Sequence, residues 1–213
     1  MDKTLETILS TGVVAVLRAK SSAELMNVIR ALSGGGVKAI EVTMTTPGAL
    51  KLIEEVSEQM ADEVVVGVGS VLDAETARLA ILAGAQFVVG PVLSEEVIHL
   101  CKRYSKLVCP GAFTPTEILR AWELGADVVK VFPATAVGPK YFRDVLAPLP
   151  QVKLIPTGGV SVENTADFIR AGASAVAAGS CLVDKKAVAE RRWNIITETA
   201  KRMIAEVKRG REG

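Results

Sequence analysis

Hydrophobic residues along the chain form short runs that alternate with longer amphipathic segments. The runs show little polar alternation, which is typical of strands covered on both faces. Each run is followed by a segment with helical spacing, and several of these segments open with a capping residue such as Ser94, Thr114 or Ser161. The predicted helices are Ser22–Leu32, Ala49–Met60, Asp73–Leu82, Ser94–Arg103, Pro115–Glu123, Pro139–Leu146, Val162–Ala171 and Lys185–Lys208.

A glycine placed just before a strand recurs four times, at Gly36, Gly84, Gly125 and Gly172. Such a glycine fits the left-handed position after a helix C-terminus. The intervals of 48, 41 and 47 residues are each long enough for two strand–helix units. The remaining strands are predicted at Val13–Leu17, Val64–Val68, Leu107–Cys109 and Val152–Ile155. This pattern predicts an α/β fold, a single-domain (β/α)8 TIM barrel with eight parallel strands, spanning residues 1–213.

Composition and charge exclude several classes of partner. A net charge of +1 gives no general attraction to nucleic acid or to an anionic membrane. The three cysteines fit neither a disulfide framework nor a zinc motif, and a lone histidine, His99, makes a poor metal centre. The N-terminus lacks the apolar region of a signal peptide, and no apolar run is long enough to span a membrane. We therefore expect a cytoplasmic protein with no metal, nucleic-acid or membrane partner.

Three charged residues interrupt strand-like runs: Arg18, Glu41 and Lys130. Lysine is almost never fully buried unless it is paired or used in chemistry. An ammonium among aliphatic groups loses hydration, which favours the neutral amine, and a neutral amine forms imines with ketones and aldehydes. Side chains alternate along a strand, so Arg18 shares a face with Val14 and Val16, Glu41 with Ala39, and Lys130 with Val128. If those three faces point into the barrel, the three charged residues converge at its mouth.

Simpler interpretations of these residues remain open. Lys130 could end a strand and extend to water, and Glu41 could serve only in a buried ion pair. Arg18 could simply hold Glu41, and Ser70 could be a turn residue.

Two glycine-containing loops follow the last two predicted strands, at Gly158-Gly159 and Gly179-Ser180. Glycines let backbone N–H groups approach an anion closely, and a following helix N-terminus adds a favourable dipole. The loops after strands seven and eight are the recurrent phosphate site of this fold. The sequence therefore predicts a phosphate site there.

Seven motifs stand at or beside the predicted strand ends. They are Val16-Leu17-Arg18, Ile40-Glu41-Val42-Thr43, Gly67-Val68-Gly69-Ser70-Val71, Cys109-Pro110-Gly111, Val129-Lys130-Val131-Phe132-Pro133, Pro156-Thr157-Gly158-Gly159-Val160 and Gly179-Ser180. Together, over about residues 5 to 205, they resemble the 2-keto-3-deoxy-6-phosphogluconate (KDPG) aldolase family. Its members are class I aldolases, also described as 4-hydroxy-2-oxoglutarate (KHG) aldolases.

The resemblance implies a role for each matching residue. Lys130 matches the Schiff-base lysine, and Glu41 matches the general acid and base. Phosphate would bind at Gly158, Gly159, Gly179 and Ser180. The expected substrate-binding residues are Arg18, Thr45, Ser70, Pro91, Phe132 and Thr157. The implied reaction cleaves KDPG to pyruvate and D-glyceraldehyde 3-phosphate without a cofactor, in a protein that is expected to form a homotrimer.

Two positions depart from the family pattern. Thr45 stands where some members carry an arginine that holds the pyruvate carboxylate, and Ser70 stands where the family carries threonine. Thr157 favours the gluconate-type substrate, because phosphogalactonate aldolases tend to carry an apolar residue there. The alternatives are a role with KHG, a phosphogalactonate-type aldolase, a phosphate-binding barrel without covalent catalysis, and a catalytically silent barrel that acts as an assembly subunit.

Overall fold

The structure, a computed structural model, describes residues 3–18 and 22–212. The strands are β1 (Val13–Leu17), β2 (Ala39–Thr43), β3 (Val65–Gly69), β4 (Phe87–Val89), β5 (Leu107–Cys109), β6 (Gly111–Ala112), β7 (Val129–Val131), β8 (Leu154–Pro156) and β9 (Val176–Ala178). The helices are α1 (Lys3–Thr11), α2 (Ser22–Gly34), α3 (Ala49–Gln59), α4 (Ala74–Leu82), α5 (Glu95–Arg103), α6 (Pro115–Glu123), α7 (Gly138–Leu146), α8 (Val162–Arg170), α9 (Lys185–Ala189) and α10 (Trp193–Glu212). A 3₁₀ turn, Ala134–Ala136, precedes α7.

The strands form two parallel sheets. The larger is a curled sheet of six strands in the order β5-β4-β3-β2-β1-β9, and the smaller has the order β6-β7-β8. Backbone hydrogen bonds link the sheets on both sides: the Lys130 N–H donates to the Pro110 carbonyl (2.9 Å), and the Ser174 N–H donates to the Leu154 carbonyl (2.9 Å). A parallel bridge between Thr157 and Ala177 adds a second contact on the β8–β9 side.

The predicted strand Leu107–Cys109 matches β5, and a further short segment, β6, follows it. Pro110 separates β5 from β6, since proline has no N–H to donate to a sheet. The described residues therefore contain nine β-segments in two sheets instead of eight strands in one.

The repeat of glycines before strands is confirmed. Gly36, Gly84, Gly125 and Gly172 have φ values of 97°, 101°, 92° and 98°, in the left-handed region that ends helices. Most predicted helix bounds agree with the structure to within two residues. The predicted single helix Lys185–Lys208 is wrong, because it is broken into α9 and α10 near Arg191, whose φ is 54°.

Helix α1 was not predicted. It carries Leu5 and Ile8 on the side that meets the inner faces of the strands, where Ile8 is 2% exposed. The inner faces include Val14, Ala39 and Val128, as the period of two predicts. A larger apolar layer lies between the outer faces of the strands and the helices. Helix α1 therefore packs on the inner cluster that supports the candidate site.

No helix within the two described ranges, 3–18 and 22–212, is long and apolar enough to cross a membrane.

We expect Ile8→Ala to lower the free energy of unfolding by about 2–5 kcal/mol, because it leaves a cavity in a packed apolar cluster. Urea denaturation measures the change. Leu9→Ala, at the neighbouring half-buried position of α1, is the control and should cost clearly less. Equal losses for the two variants would contradict the view that α1 anchors the inner cluster through Ile8.

Candidate active site

Glu41 and Lys130 occupy the middle of strands β2 and β7. Glu41 is 2% exposed and Lys130 is 7% exposed. Both line one cavity inside the curled sheet, with Thr157 from the loop after β8 and apolar side chains from neighbouring strands. Of the three residues predicted to converge at the barrel mouth, Glu41 and Lys130 line this cavity together, and Arg18 does not line it. Two ionisable groups with opposite charge share an otherwise apolar chamber.

Burial controls the protonation of Glu41. Loss of hydration raises the pKa of the Glu41 carboxyl, and the positive charges of Lys130 and Arg18 lower it by smaller amounts. The net direction is upward. A carboxyl with a raised pKa can both accept and release a proton nearer to neutrality than an exposed one can.

The amine of Lys130 is held beside an aromatic ring. Its Nζ lies 5.0 Å from the centroid of the Phe132 ring, which is 38% exposed. Val129 and Val131, on either side of Lys130, are fully buried on the outer face of the strand. Phe132 therefore places its ring beside the amine, at a distance typical of a cation–π contact.

Arg18 is exposed at the end of β1, close enough for its charge to act on the Glu41 carboxyl. Thr45 is exposed in the turn after β2. The Thr45 hydroxyl lies 3.0 Å from the hydroxyl of buried Thr43, which lies 3.3 Å from that of Thr46. Thr45 therefore belongs to a cluster of three hydroxyls at and just after the end of β2.

Ser70 and Pro91 follow the ends of β3 and β4, and both are half-buried. Ser70 has a φ of 60°, a strained value for a residue other than glycine. The Val71 N–H donates to the Val89 carbonyl (3.2 Å), which joins the two strand ends. These two predicted residues therefore lie on adjacent loops at the same edge of the sheet.

The loop after β8 contains Gly158 and Gly159, with φ values of 88° and 74°. A Cβ on Gly159 would lie 2.3 Å from Cγ2 of Thr135, so no side chain fits there. Asn164 in the first turn of α8 holds this loop, because its Nδ2 donates to the Gly159 carbonyl (2.8 Å). The loop is thus fixed just before the N-terminus of α8.

The second glycine loop follows β9. Gly179 is half-buried and Ser180 is exposed, and the N–H groups of Leu182 and Val183 both donate to the Gly179 carbonyl. Because β8 and β9 are neighbours through the Thr157–Ala177 bridge, the two glycine loops leave adjacent strand ends.

Thr157 is 8% exposed, and its hydroxyl has no hydrogen-bond partner among the residues that the structure describes. A buried hydroxyl without a hydrogen-bond partner destabilises the folded protein, and a hydrogen bond to it would offset that cost. Because Thr157 lines the chamber with Glu41 and Lys130, a ligand there could supply that bond.

The sequence reasoning did not assign Phe87 and Cys109 to the site, and both line the chamber. Cys109 is 5% exposed, and burial raises the pKa of its thiol to about 12, so it is present as the neutral thiol. The period of two in Leu107–Cys109 and Phe87–Val89 was the available signal. In strands of three residues, that period does not say which face turns inward.

Over residues 3–18 and 22–212, no group of three or more His, Cys, Asp and Glu side chains is arranged to hold a metal ion. His99, the single histidine, is exposed on α5.

A family model described as "Aldolase: KDPG and KHG aldolase" matches residues 5–199. A 2-dehydro-3-deoxy-phosphogluconate aldolase of Treponema pallidum is 33% identical over 193 residues, which cover 90% of this chain and 91% of the relative. The 2-dehydro-3-deoxy-6-phosphogalactonate aldolase of Escherichia coli is also 33% identical, over 93% of this chain and 94% of that one.

A crystal structure of KDPG aldolase from Legionella pneumophila, with pyruvate captured as a covalent carbinolamine intermediate, is similar in fold. The TM-score is 0.86 at 27% identity, and the match covers 93% of this chain and 97% of that one.

We expect Glu41→Gln to stabilise the protein progressively, relative to wild type, as the pH rises above the ordinary glutamate pKa of about 4.3. A raised pKa means that the folded protein holds the Glu41 proton more tightly than the unfolded chain does, so wild-type stability falls as the pH rises from the unfolded-state pKa toward the folded-state pKa. Urea unfolding at several pH values measures the difference. The control is Glu54→Gln at an exposed position of α3. A difference between wild type and Glu41→Gln that is flat or decreases with pH would contradict the assignment.

Proposed function

The chain belongs to the KDPG and KHG aldolase family, and we propose that it is a class I aldolase that cleaves KDPG to pyruvate and D-glyceraldehyde 3-phosphate. One observation carries the proposal: a buried chamber holds the amine of Lys130 and the carboxyl of Glu41 together. The Legionella relative, which captures pyruvate as a carbinolamine, supports covalent chemistry of the same kind.

We propose that Lys130 is the nucleophile. Its neutral Nζ attacks the ketone carbon of the substrate to give a carbinolamine, and loss of water gives an iminium ion. The bond that breaks joins the carbon next to the iminium carbon to the hydroxyl-bearing carbon beyond it, and its electron pair moves toward the iminium to form the enamine double bond. The products of this step are an aldehyde and a pyruvate enamine, which is still bound to Lys130.

Glu41 moves the protons in this scheme. Its carboxylate, directly or through a water molecule, removes the proton from the hydroxyl beyond the bond that breaks. The same carboxyl then returns a proton to the enamine carbon, and water hydrolyses the imine to release pyruvate. The raised pKa of the Glu41 carboxyl suits a group that must accept and donate in one cycle.

The remaining predicted residues surround this pair. The backbone N–H groups of the Gly158-Gly159 and Gly179-Ser180 loops would bind the substrate phosphate, supported by their place on adjacent strand ends and by the N-terminus of α8. The substrate carboxylate and hydroxyls would meet side chains at the mouth. These side chains are Arg18, Thr45, Ser70, Pro91, Phe132 and Thr157.

We also propose that the two sheets together form one closed eight-stranded (β/α)8 barrel and a single domain. In this arrangement β5 and β6 count as one strand interrupted at Pro110. The hydrogen bonds of Lys130 to Pro110 and of Ser174 to Leu154 support closure, because they join the sheets at both edges.

A homotrimer remains a prediction from the family resemblance. Large apolar side chains exposed on the loops after β3, β4 and β6 support self-association: Leu72, Val92 and Phe113 are 61%, 52% and 39% exposed. The cytoplasmic location likewise remains a prediction.

We expect borohydride reduction in the presence of pyruvate to leave a stable adduct on Lys130, because reduction converts the imine into a secondary amine. Peptide mass spectrometry locates the label. Lys130→Met should fold but show neither label nor cleavage, and Lys153→Met, at an exposed position outside the chamber, should retain both. Label on another lysine would overturn the role of Lys130.

The same experiment separates the rival functions. A phosphate-binding barrel without covalent catalysis, or a silent assembly subunit, gives no adduct and no aldol cleavage.

We expect turnover on KDPG to exceed turnover on the phosphogalactonate epimer and on KHG, with Thr157 contributing to the preference. Thr157→Val removes a buried hydroxyl at nearly constant volume, so the preference for KDPG over the epimer should fall about 2- to 10-fold, as expected for one hydrogen bond. Steady-state kcat/KM values for each substrate measure it. Thr157→Ser keeps the hydroxyl and is the matched control. An unchanged ratio in Thr157→Val would show that Thr157 does not discriminate.

A further inference from the structure

The carboxyl of Glu41 lies directly against the backbone of Gly69, the last residue of β3. A Cβ built on Gly69 would lie 1.8 Å from Oε1 of Glu41, 2.5 Å from its Cδ and 2.7 Å from its Cγ. Heavy atoms that are not bonded to each other do not approach so closely. The carboxyl therefore occupies the volume that any side chain at position 69 would fill.

Backbone conformation does not require glycine at this position. Gly69 is an ordinary strand residue whose register partner on β2 is Thr43, and its φ lies outside the left-handed region. A glycine within a strand is destabilising, because it loses more conformational entropy on folding than other residues and has no side chain to pack. The requirement at Gly69 is therefore for space next to Glu41.

Gly67 provides a comparison on the same face of β3. A Cβ there would lie 2.5 Å from ring carbons of Phe87. Strand β3 thus has two successive positions without a side chain on its inner face. The ring of Phe87, from β4, occupies the space over Gly67, and the carboxyl of Glu41, from β2, occupies the space over Gly69.

The surroundings of Glu41 limit where its carboxyl could move. Glu41 is 2% exposed, and the chamber that it lines also contains Lys130, Cys109 and the ring of Phe87. A methyl group on Gly69 would force the carboxyl away from its present position by about the width of that group. In enzymes, a displacement of about 1 Å at a reacting group can cost about 100-fold in rate.

We propose that Gly69 is a positioning residue, which by having no side chain holds the Glu41 carboxyl where it can exchange protons with a substrate bound to Lys130. The proposal rests on the proposed function, in which Glu41 transfers protons. It adds a residue that has no side chain and acts through Glu41.

The test uses Gly69→Ala and two measurements that separate imine formation from proton transfer. One is the final extent of borohydride trapping of pyruvate on Lys130. The other is the rate at which the methyl protons of pyruvate exchange with deuterium oxide, which requires the enamine carbon to lose and regain a proton. We expect trapping to persist while exchange falls about 100-fold. Gly34→Ala, where the nearest atom to an added Cβ is Cγ2 of Thr197 at 4.0 Å, is the control and should keep both.

A double-mutant cycle distinguishes action through Glu41 from a general structural effect. In the Glu41→Gln background the proton carrier is already lost, so adding Gly69→Ala should change the residual exchange rate by less than about twofold. Losses that multiply in the double variant would overturn the proposal. Deuterium exchange at the wild-type rate in Gly69→Ala would also overturn the proposal about Gly69. That result would not affect the proposed function, provided that the wild type traps pyruvate and cleaves KDPG.

Failure of the wild type to trap pyruvate on Lys130 would overturn the proposed function, and the role of Gly69 in proton transfer with it.

A second measurement keeps the proposal falsifiable if Gly69→Ala folds poorly. Glu41→Asp withdraws the carboxyl by one methylene and makes room for the added methyl group. The double variant Glu41→Asp, Gly69→Ala should therefore recover the thermal midpoint that Gly69→Ala loses. If the two substitutions lower the midpoint additively, the carboxyl does not occupy the space over Gly69 and the proposal fails.

Discussion

A carboxyl and an amine of opposite charge share the apolar interior of this protein, and the cost of keeping them there governs the site around them. Removing an ionised group from water costs several kcal/mol, and attraction between partners offsets only part of that cost. The raised pKa of the Glu41 carboxyl, despite the nearby charges of Lys130 and Arg18, indicates that burial outweighs attraction. The chamber therefore favours the protonated Glu41 carboxyl more than water does.

On the inner faces of β2 and β7, an apolar residue lies two positions before each of the two reacting groups. Ala39 precedes Glu41 by two residues, and Val128 precedes Lys130 by two. Because side chains alternate, Ala39 and Val128 lie one layer before Glu41 and Lys130 on the inner faces of their strands. Helix α1 packs on the inner cluster through Ile8. The packing that stabilises the fold thus also supports the reacting groups.

Features that depend on local chemistry could be predicted from the sequence. The four repeat glycines, most helix bounds and the convergence of Glu41 with Lys130 follow from caps and from the period of two. Helix α1 was missed because its apolar residues pack against strands that are distant in the chain, and no local pattern shows that contact. The contact between Glu41 and Gly69 joins neighbouring strands across a register that no spacing specifies. For the same reason, the sequence motif that contains Gly69 could be recognised, but the motif alone did not indicate that Gly69 lies against the Glu41 carboxyl.

The size of the chamber limits which part of a substrate reaches the two reacting groups. The cavity among the inner side chains is about 20 Å³, enough for roughly one water molecule. A keto acid that forms an imine with Lys130 must therefore place only its carbonyl end in the cavity, with its larger end outside. The glycine loops after β8 and β9 leave adjacent strand ends. Under the proposed function, the cavity would take the ketone end of the substrate and these loops would take its phosphate.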